Sequence, residues 1–500
     1  MSCIHPFSVV RRLRLLVLLL VVAPTVRAQD RVVAVADSLP ALSRATLGRA
    51  RFDAVIYSLE AYGASTADLR RVYGEGIPVL LWTRNGVLTS SARATMAALQ
   101  RVGDRGLDPS ALDLARLQTL AGSRLRSDAE RFEFDALLSV ASIRVLRALH
   151  GARVETDDDV RGSGDMSSDA AGNTGIGGRP RAVPDSDTAR RGPVGDVTLE
   201  LRSLAAAAHP DAILDAAEPA ALQYQLLKAA LGTYRTLAGR DTVARGQLAS
   251  ILATLERART QRDSTLTAGV VVNIPAFTLH ATGGSSADDT LRMDVVVGVA
   301  GRHRTLEMRD SIRYIVFAPY WDVPLSIVRA ELLPIARRDP RLLTLNNYQL
   351  VDRRGRVLPA TVQSVNLLAA GRVRIRQLPG GTNSLGRVKF MFPNADDIYL
   401  HDTPMQRDFA RYRRDLSHGC VRVADPAALA RLLLRDQPDW TTERIDAAMR
   451  GMTPVTIRLS HPVPIRLTYA TAVARADGGI DFFDDIYGLD SAKRPSLGSP

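Results

Sequence analysis

A cysteine and two histidines stand where a thiol could do chemistry. Cys420 lies in DLSHGCVRVADP (415–426), with His418 two residues before it. His401 stands nineteen positions upstream, at the end of IYLHD. A thiol attacks as its thiolate, so it needs a base or a positive field beside it. Side chains alternate along an extended segment, which lets His418 and Cys420 face the same way. His401 reaches the sulfur only if the chain folds back through TPMQRDFARYRRDL (403–416). Gly419 permits backbone geometry that lets N–H groups converge on an oxyanion. Other chemistries use the same residues. Cys420, His418 and His401 could supply three zinc ligands, but the chain has eight histidines and no H-E-x-x-H. A serine nucleophile lacks its G-x-S-x-G setting. A buried, inert cysteine would pack as a small hydrophobe.

The compartment bears on that choice. Residues 1–28 read as a cleavable secretion signal: Arg11, Arg12 and Arg14 precede the apolar run Leu15–Ala23, and Val26-Arg27-Ala28 fits a small-x-small cleavage site. The apolar run is shorter than the ~20 residues that span a bilayer, and no later stretch looks transmembrane. A periplasmic location is expected, with no transmembrane anchor after cleavage; an uncleaved anchor is the alternative reading of the same segment. Of the two cysteines, Cys3 leaves with the signal, so Cys420 is a lone thiol where disulfides form. The net charge is +12, nearly all of it from arginine; only Lys228, Lys389 and Lys493 are lysines. That leaves little room for Schiff-base chemistry. The basic excess is spread thinly, which argues against nucleic acid as a partner.

Five hundred residues, 46% of them hydrophobic and 24% charged, allow two or three domains with their own cores. Residues 29–154 are expected to form a helical scaffold domain. In it TSSARATMAALQRV (89–102) opens on Thr/Ser caps, and DAERFEFDALLSVASIRVLRALH (128–150) reads as a long amphipathic helix. Residues 155–197 turn to Gly, Ser, Asp, Arg and Pro and read as a disordered linker. Helical pattern returns over 198–266. From 267 the period becomes two: GVVVNIPAFTLHAT, RMDVVVGVA, SIRYIVFAPYWDVP, RVKFMFP and DIYLHD are short strands bounded by turn residues. The expected class is α+β, a mainly antiparallel sandwich or barrel over 267–490 followed by a tail (491–500). A helix over Leu325–Asn347 opens an excursion, 325–377, that could serve as a lid. Asp425-Pro426 is an N-cap with proline at the first helical position, and ADGGI (476–480) is a hairpin turn.

Ser417-His418-Gly419-Cys420-Val421-Arg422, with His401 upstream, resembles the signature of the L,D-transpeptidases with a YkuD-type catalytic domain. These are bacterial cell-wall enzymes with a cysteine nucleophile. Tyr314–Phe317, PYWDVP (319–324), LGRVKFMFPN (385–394) and IYLHDTP (398–404) are similar to the YcbB-like branch. The resemblance covers 268–490 and extends more thinly to 78–114, which is similar to that branch's scaffold.

It implies Cys420 as nucleophile, His401 as general base and the Asp402 carbonyl as the group orienting the imidazole. His418, Gly419 and Cys420 would contribute backbone N–H groups to an oxyanion hole, and Ser417 would brace the loop. Arg422 could hold a substrate carboxylate or pair with a nearby acid, and Tyr320 and Trp321 could line the donor cleft or belong to the core. The implied partners are peptidoglycan stem peptides, a donor tetrapeptide and an acceptor amine, and other cell-wall enzymes; no cofactor or metal is implied. The implied reaction is acyl transfer through a thioester, releasing D-alanine and forming a 3→3 cross-link, with carbapenems as covalent ligands of Cys420. Arg407, Arg411, Arg413 and Arg414 could attract stem carboxylates. Other acceptors for the same acyl-enzyme (water, a free D-amino acid, a lipoprotein lysine) and an inactive wall-binding scaffold stay open. The D-G-x-x-G-P-x-T phrase of that branch's peptidoglycan-binding module is not found, so wall targeting by such a module is not expected.

Overall fold

The computed structural model describes residues 65–73, 79–151, 196–261, 269–283, 290–301 and 303–490. The expected secretion signal, the polar stretch up to residue 195 and the tail lie outside them. The chain divides between Ser264 and Thr265 into two units with separate cores.

The N-terminal unit is helical. A short hairpin, β1 (Thr83–Arg84) and β2 (Val87–Leu88), turns on Asn85 and Gly86, both at positive φ as a tight two-residue hairpin requires. Around it run α1 (Ser65–Tyr73), α2 (Ser90–Gln100), α3 (Leu114–Ala121), α4 (Asp128–Leu149), α5 (Val197–Ala206) and α6 (Pro210–Ala217), then a hairpin of α7 (Leu222–Ala238) and α8 (Thr242–Gln261). Helix α2 starts where Thr89 accepts a hydrogen bond from the Ala92 N–H. Helix α4 opens with a reciprocal capping box between Ser127 and Glu130. Its pattern reads as amphipathic, yet from Phe134 to Val145 every residue is buried. The reason is position: α1, α2, α3, α5 and α6 all pack against it. Its polar residues Asp135, Ser139 and Ser142 are therefore interior groups.

The C-terminal unit is a mixed β-barrel with a small four-stranded sheet and a separate two-stranded one that pairs the last two strands. The strands are β3 (Gly269–Asn273), β4 (Thr278–Thr282), β5 (Thr290–Gly298), β6 (Met308–Phe317), β7 (Trp321–Asp322), β8 (Tyr348–Val351), β9 (Val357–Leu358), β10 (Arg374–Gln377), β11 (Val388–Met391), β12 (Leu400–His401), β13 (Asp415–Ser417), β14 (Val421–Val423), β15 (Val455–Thr468), β16 (Ala472–Ala474) and β17 (Ile480–Phe482). Barrel order is β5-β14-β12-β11-β6-β15-β3-β4, closed by a β4–β5 pairing, with β13 added beside β5. Most neighbours are antiparallel, but β12/β14, β15/β3 and β13/β5 are parallel. Val270, Val272, Val295, Val297, Ile315, Phe390, Leu400 and Val421 belong to its apolar core. Helix α9 (Pro426–Leu434), capped by Asp425 on the Ala428 N–H, supplies Leu429, Ala430, Leu433 and Leu434 to that core.

The excursion after β6 folds on its own cluster. Strands β7, β10, β8 and β9 form an antiparallel sheet, in that order, over Val328, Leu343, Leu350, Val365, Leu368 and Ile375. The helix expected across Leu325–Asn347 is broken into an α-turn (Leu325–Ile327), a π-turn (Val328–Leu332) and short α-segments Leu333–Arg338 and Arg341–Leu345. Pro334 has no N–H for the carbonyl four residues back, and the Leu333 N–H bonds Val328 in a π-type step. Pro340 then starts a new turn.

Candidate active site

Tyr399 and strand β12 run beside Cys420 and strand β14. Leu400 pairs with Val421 and His401 with Arg422, and the Val421 N–H bonds the Tyr399 carbonyl. Leu400 and Val421 point into the barrel core. By alternation, Tyr399, His401, Cys420 and Arg422 share the opposite face. His401 and Cys420 are diagonal neighbours on adjacent strands. The fold-back through 403–416, a short 3-10 turn and β13, is what makes them so.

The imidazole is held from behind. His401 Nδ1 donates to the Asp402 carbonyl at 2.5 Å, which leaves Nε2 as the proton acceptor. Asp402 is fixed in turn: its carboxylate accepts from the Arg387 N–H at 2.8 Å and the Thr403 N–H at 2.7 Å. Gly386 makes room for this, because a Cβ there would lie 2.4 Å from the Asp402 carboxyl. Burial pushes His401 down to about 3, helped by Arg422 and Lys389 and opposed by the Asp402 and Leu385 carbonyls.

The nucleophile loop is braced by its own serine. Ser417 Oγ donates to the Cys420 carbonyl at 2.6 Å and accepts from the Gly419 N–H at 3.1 Å. The Gly419 N–H is thereby committed and cannot serve an oxyanion in this geometry, contrary to its expected role. Among the described residues no partner engages the N–H groups of His418 and Cys420. Gly419 sits at φ +120°, a conformation that excludes other residues. Behind the loop, Thr305 Oγ1 donates to the Gly419 carbonyl at 2.7 Å and accepts from the Gly298 N–H at 2.8 Å. The Tyr487 hydroxyl donates to the Gly298 carbonyl at 2.6 Å and accepts from the Thr305 N–H at 3.1 Å.

Cys420 Sγ donates to the Asp397 carbonyl at 3.5 Å. Asn394 shapes that turn by accepting from the Asp396 and Ile398 N–H groups. Burial pushes the thiol up to about 11, against Tyr399, whose backbone N–H and hydroxyl favour the thiolate. No hydrogen bond joins His401 to the sulfur among the described residues, and burial disfavours both the imidazolium and the thiolate.

The remaining expected residues fall differently. His418 Nε2 bonds Glu331 Oε1 at 2.7 Å, and its ring meets His303 edge-on at 5.0 Å. Glu331 lies in the π-turn, so this contact ties the small sheet's helical segment to the nucleophile loop. Arg422 pairs with Asp408 at 3.1 Å, which engages it with an acid of the protein. Arg413 forks onto Asp415 and Arg414 pairs with Asp294 at 3.0 Å, so both are structural. Arg411 lies 3.9 Å from Asp408. Trp321 packs on the small sheet's cluster, and Tyr320 stacks on Arg376 at 4.2 Å. The zinc alternative finds no support in this geometry: among the described residues no three His, Cys, Asp or Glu side chains converge to hold an ion.

Four residues come to the site that motif reading missed. Tyr399 could have been found from its i−2 spacing to His401. Lys389, opposite His401 on β11, Thr305 and Tyr487 depend on pairings between distant segments and leave no local signal.

Comparison with known proteins finds two family models and a relative. Residues 267–457 match the family model described as L,D-transpeptidase catalytic domain, YkuD, and residues 67–231 match the one described as Scaffold domain. A Haemophilus influenzae protein described as a "Putative L,D-transpeptidase" is 35% identical over 223 residues, 44% of this chain and 44% of its own length. The chain thus spans less than half of that relative in the matched region. With an α+β architecture of scaffold helices followed by a mixed barrel, and a cysteine and histidine side by side on that barrel, the chain carries the L,D-transpeptidase catalytic domain of the YkuD family.

Proposed function

We propose that this protein is a periplasmic cysteine acyltransferase that forms 3→3 cross-links between peptidoglycan stem peptides. The observation that carries the reading is the diagonal placement of His401 and Cys420 on one face of β12 and β14, within the matched catalytic domain.

The donor's scissile carbonyl, between the third residue and the terminal D-alanine, sits over the Cys420–Tyr399 side of this face. Rotation of the sulfur away from the Asp397 carbonyl brings it to His401 Nε2, which takes the thiol proton. The sulfur attacks, and the oxyanion is met by the Cys420 and His418 N–H groups and the Tyr399 hydroxyl. The tetrahedral intermediate collapses, the C–N bond breaks, and the leaving amine takes the proton from His401. A thioester remains on Cys420. The side-chain amine of a second stem's diaminopimelate then attacks it, gives a proton to His401 and expels the sulfur, which recovers that proton. A thioester suits an amine acceptor if water is kept out, and the Glu331–His418 bond supports a cover over the nucleophile loop.

Incubation of the purified protein with a disaccharide-tetrapeptide, read by mass spectrometry, tests this. The expected products are a cross-linked dimer and D-alanine. Trimmed stems or exchanged D-residues would assign a different acceptor to the same acyl-enzyme, and unchanged substrate would overturn the enzyme reading. Cys420→Ala is expected to lower product formation by more than about a thousandfold and to abolish the mass increment of a bound carbapenem.

A further inference from the structure

Across the barrel, Lys389 on β11 faces His401 on β12, which faces Arg422 on β14. Residues opposed in this way project to the same side, so the imidazole stands in a row with a cation on each flank. The row ends in Val316 and Val296, which bring no charge. Arg422 is committed to Asp408. Lys389 makes no ion pair among the described residues; its Nζ lies 5.4 Å from the centroid of the Tyr399 ring, the ring beside the Cys420 sulfur. The charged and titratable groups around it are Tyr399 just before β12, His401 on β12, Cys420 and Arg422 from the nucleophile loop and β14, and Asp322 from β7. Asp397, whose carbonyl takes the thiol, adds a negative charge near the sulfur that this cation offsets.

The sequence adds an independent observation. Lysine occurs three times in a chain with 65 lysines and arginines, and one of the three is here. An ammonium is a compact point charge on a flexible stem, whereas a guanidinium is a planar fork that seeks a bidentate partner. This half-buried position, over an aromatic ring and beside a sulfur, suits the former.

We propose that Lys389 is an electrostatic positioning residue of the acyl-transfer site: its ammonium stabilises negative charge on the Cys420 sulfur and, with Arg422, keeps His401 in its neutral, proton-accepting form. The inference rests on the roles given above to Cys420 and His401. When the thiol proton moves to Nε2, the sulfur's charge falls in the field of Lys389. The imidazolium formed between two cations is then poised to give its proton to the departing amine. One residue thus favours both the attack and the return of the proton.

The test uses the full protein without any peptide substrate. Second-order rates of Cys420 alkylation are measured from pH 6 to 10 with neutral iodoacetamide and anionic iodoacetate, with Cys420→Ala as the blank. Lys389→Met is expected to lower the iodoacetamide rate below pH 9 about tenfold, the change in thiolate fraction that one pK unit gives. It is expected to lower the iodoacetate rate by a further factor of about three, because the cation that draws the anion is gone. Lys389→Arg should restore both rates to within about threefold. Where methionine disturbs the fold, as a melting curve would show, Lys389→Gln carries the same expectation. Unchanged rates and an unchanged iodoacetate-to-iodoacetamide ratio in the neutral variants would overturn the proposal. So would an arginine variant as slow as the methionine one, which would make the residue a packing element. Alkylation needs neither donor nor acceptor stem, so its outcome is independent of whether cross-links form.

Discussion

Buried carboxyl groups anchor both units of this protein, and the two are used differently. In the scaffold, Asp135 lies inside α4 and accepts from the Tyr73 hydroxyl at 2.6 Å and from the Leu81 and Trp82 N–H groups at 2.8 Å. Ser139 completes the cluster, receiving the Trp82 indole N–H at 2.8 Å and meeting the Tyr73 hydroxyl at 2.8 Å. Burial pushes the Asp135 carboxyl up to about 6, yet its hydrogen bonds close on themselves. In the barrel, Asp402 is just as firmly held, but the groups it positions are not closed off. Among the described residues, no hydrogen bond or ion pair is made to His401 Nε2, to the Cys420 and His418 N–H groups around it, or to the Lys389 ammonium. Satisfied burial makes a strut. Buried or half-buried groups with unused capacity, held in place by satisfied ones, make a reaction site.

Substitutions can break that contrast from either side. The largest effect is expected at His401. His401→Gln keeps much of the volume and removes the base, and the rate of acylation by a carbapenem should fall about a thousandfold in stopped-flow or mass-spectrometric assays. The same variant should alter acid stability. A folded-state value of about 3, below the ordinary 6.5, means that the unfolded chain takes up a proton first as pH falls. Stability is therefore retained above about pH 6.5 and lost progressively toward 3. Between pH 6.5 and 5 urea titrations of the wild type should show an extra loss of about 2 kcal/mol that His401→Gln lacks.

Asp135→Ala comes next. It strands the Leu81 and Trp82 N–H groups inside the scaffold, while the Tyr73 hydroxyl keeps Ser139, and should cost about 3 kcal/mol by urea unfolding. Alkylation of Cys420 should stay at the wild-type rate while the protein is folded; a large change there would show that the scaffold cluster is more than a strut. Smallest of all is Glu331→Gln. Both members of the Glu331–His418 contact are more than a third exposed, so less than about 1 kcal/mol is at stake. Acylation should change by no more than about threefold, with hydrolysis of the thioester the step that responds.

Much of the site was legible because its elements are local. The S-H-G-C run, the upstream histidine, the Asp425-Pro426 helix start and the period-two strands are all written in consecutive residues. Helix breaks at Pro334 and Pro340 are equally legible, because proline offers no N–H to the carbonyl four residues back. What escaped depends on register between distant strands. No spacing in RVKFMFP tells that Lys389 will stand opposite His401, nor that β12 and β14 pair in parallel after a nineteen-residue excursion. Arg414 looked available for substrate because its acidic partner, Asp294, lies 120 residues away, whereas the partner of Arg413, Asp415, stands two positions on and was legible. The amphipathic reading of α4 failed for a similar reason: one helix cannot reveal how many neighbours surround it.

The Tyr487 hydroxyl, which secures Gly298 and Thr305 and through them the Gly419 carbonyl, lies thirty residues beyond the last position matched to the catalytic family. The smallest piece of this chain able to present its sulfur properly is therefore longer than the region that kinship defines. A protein trimmed after β15 would retain the whole signature and still lose the prop under its reactive turn.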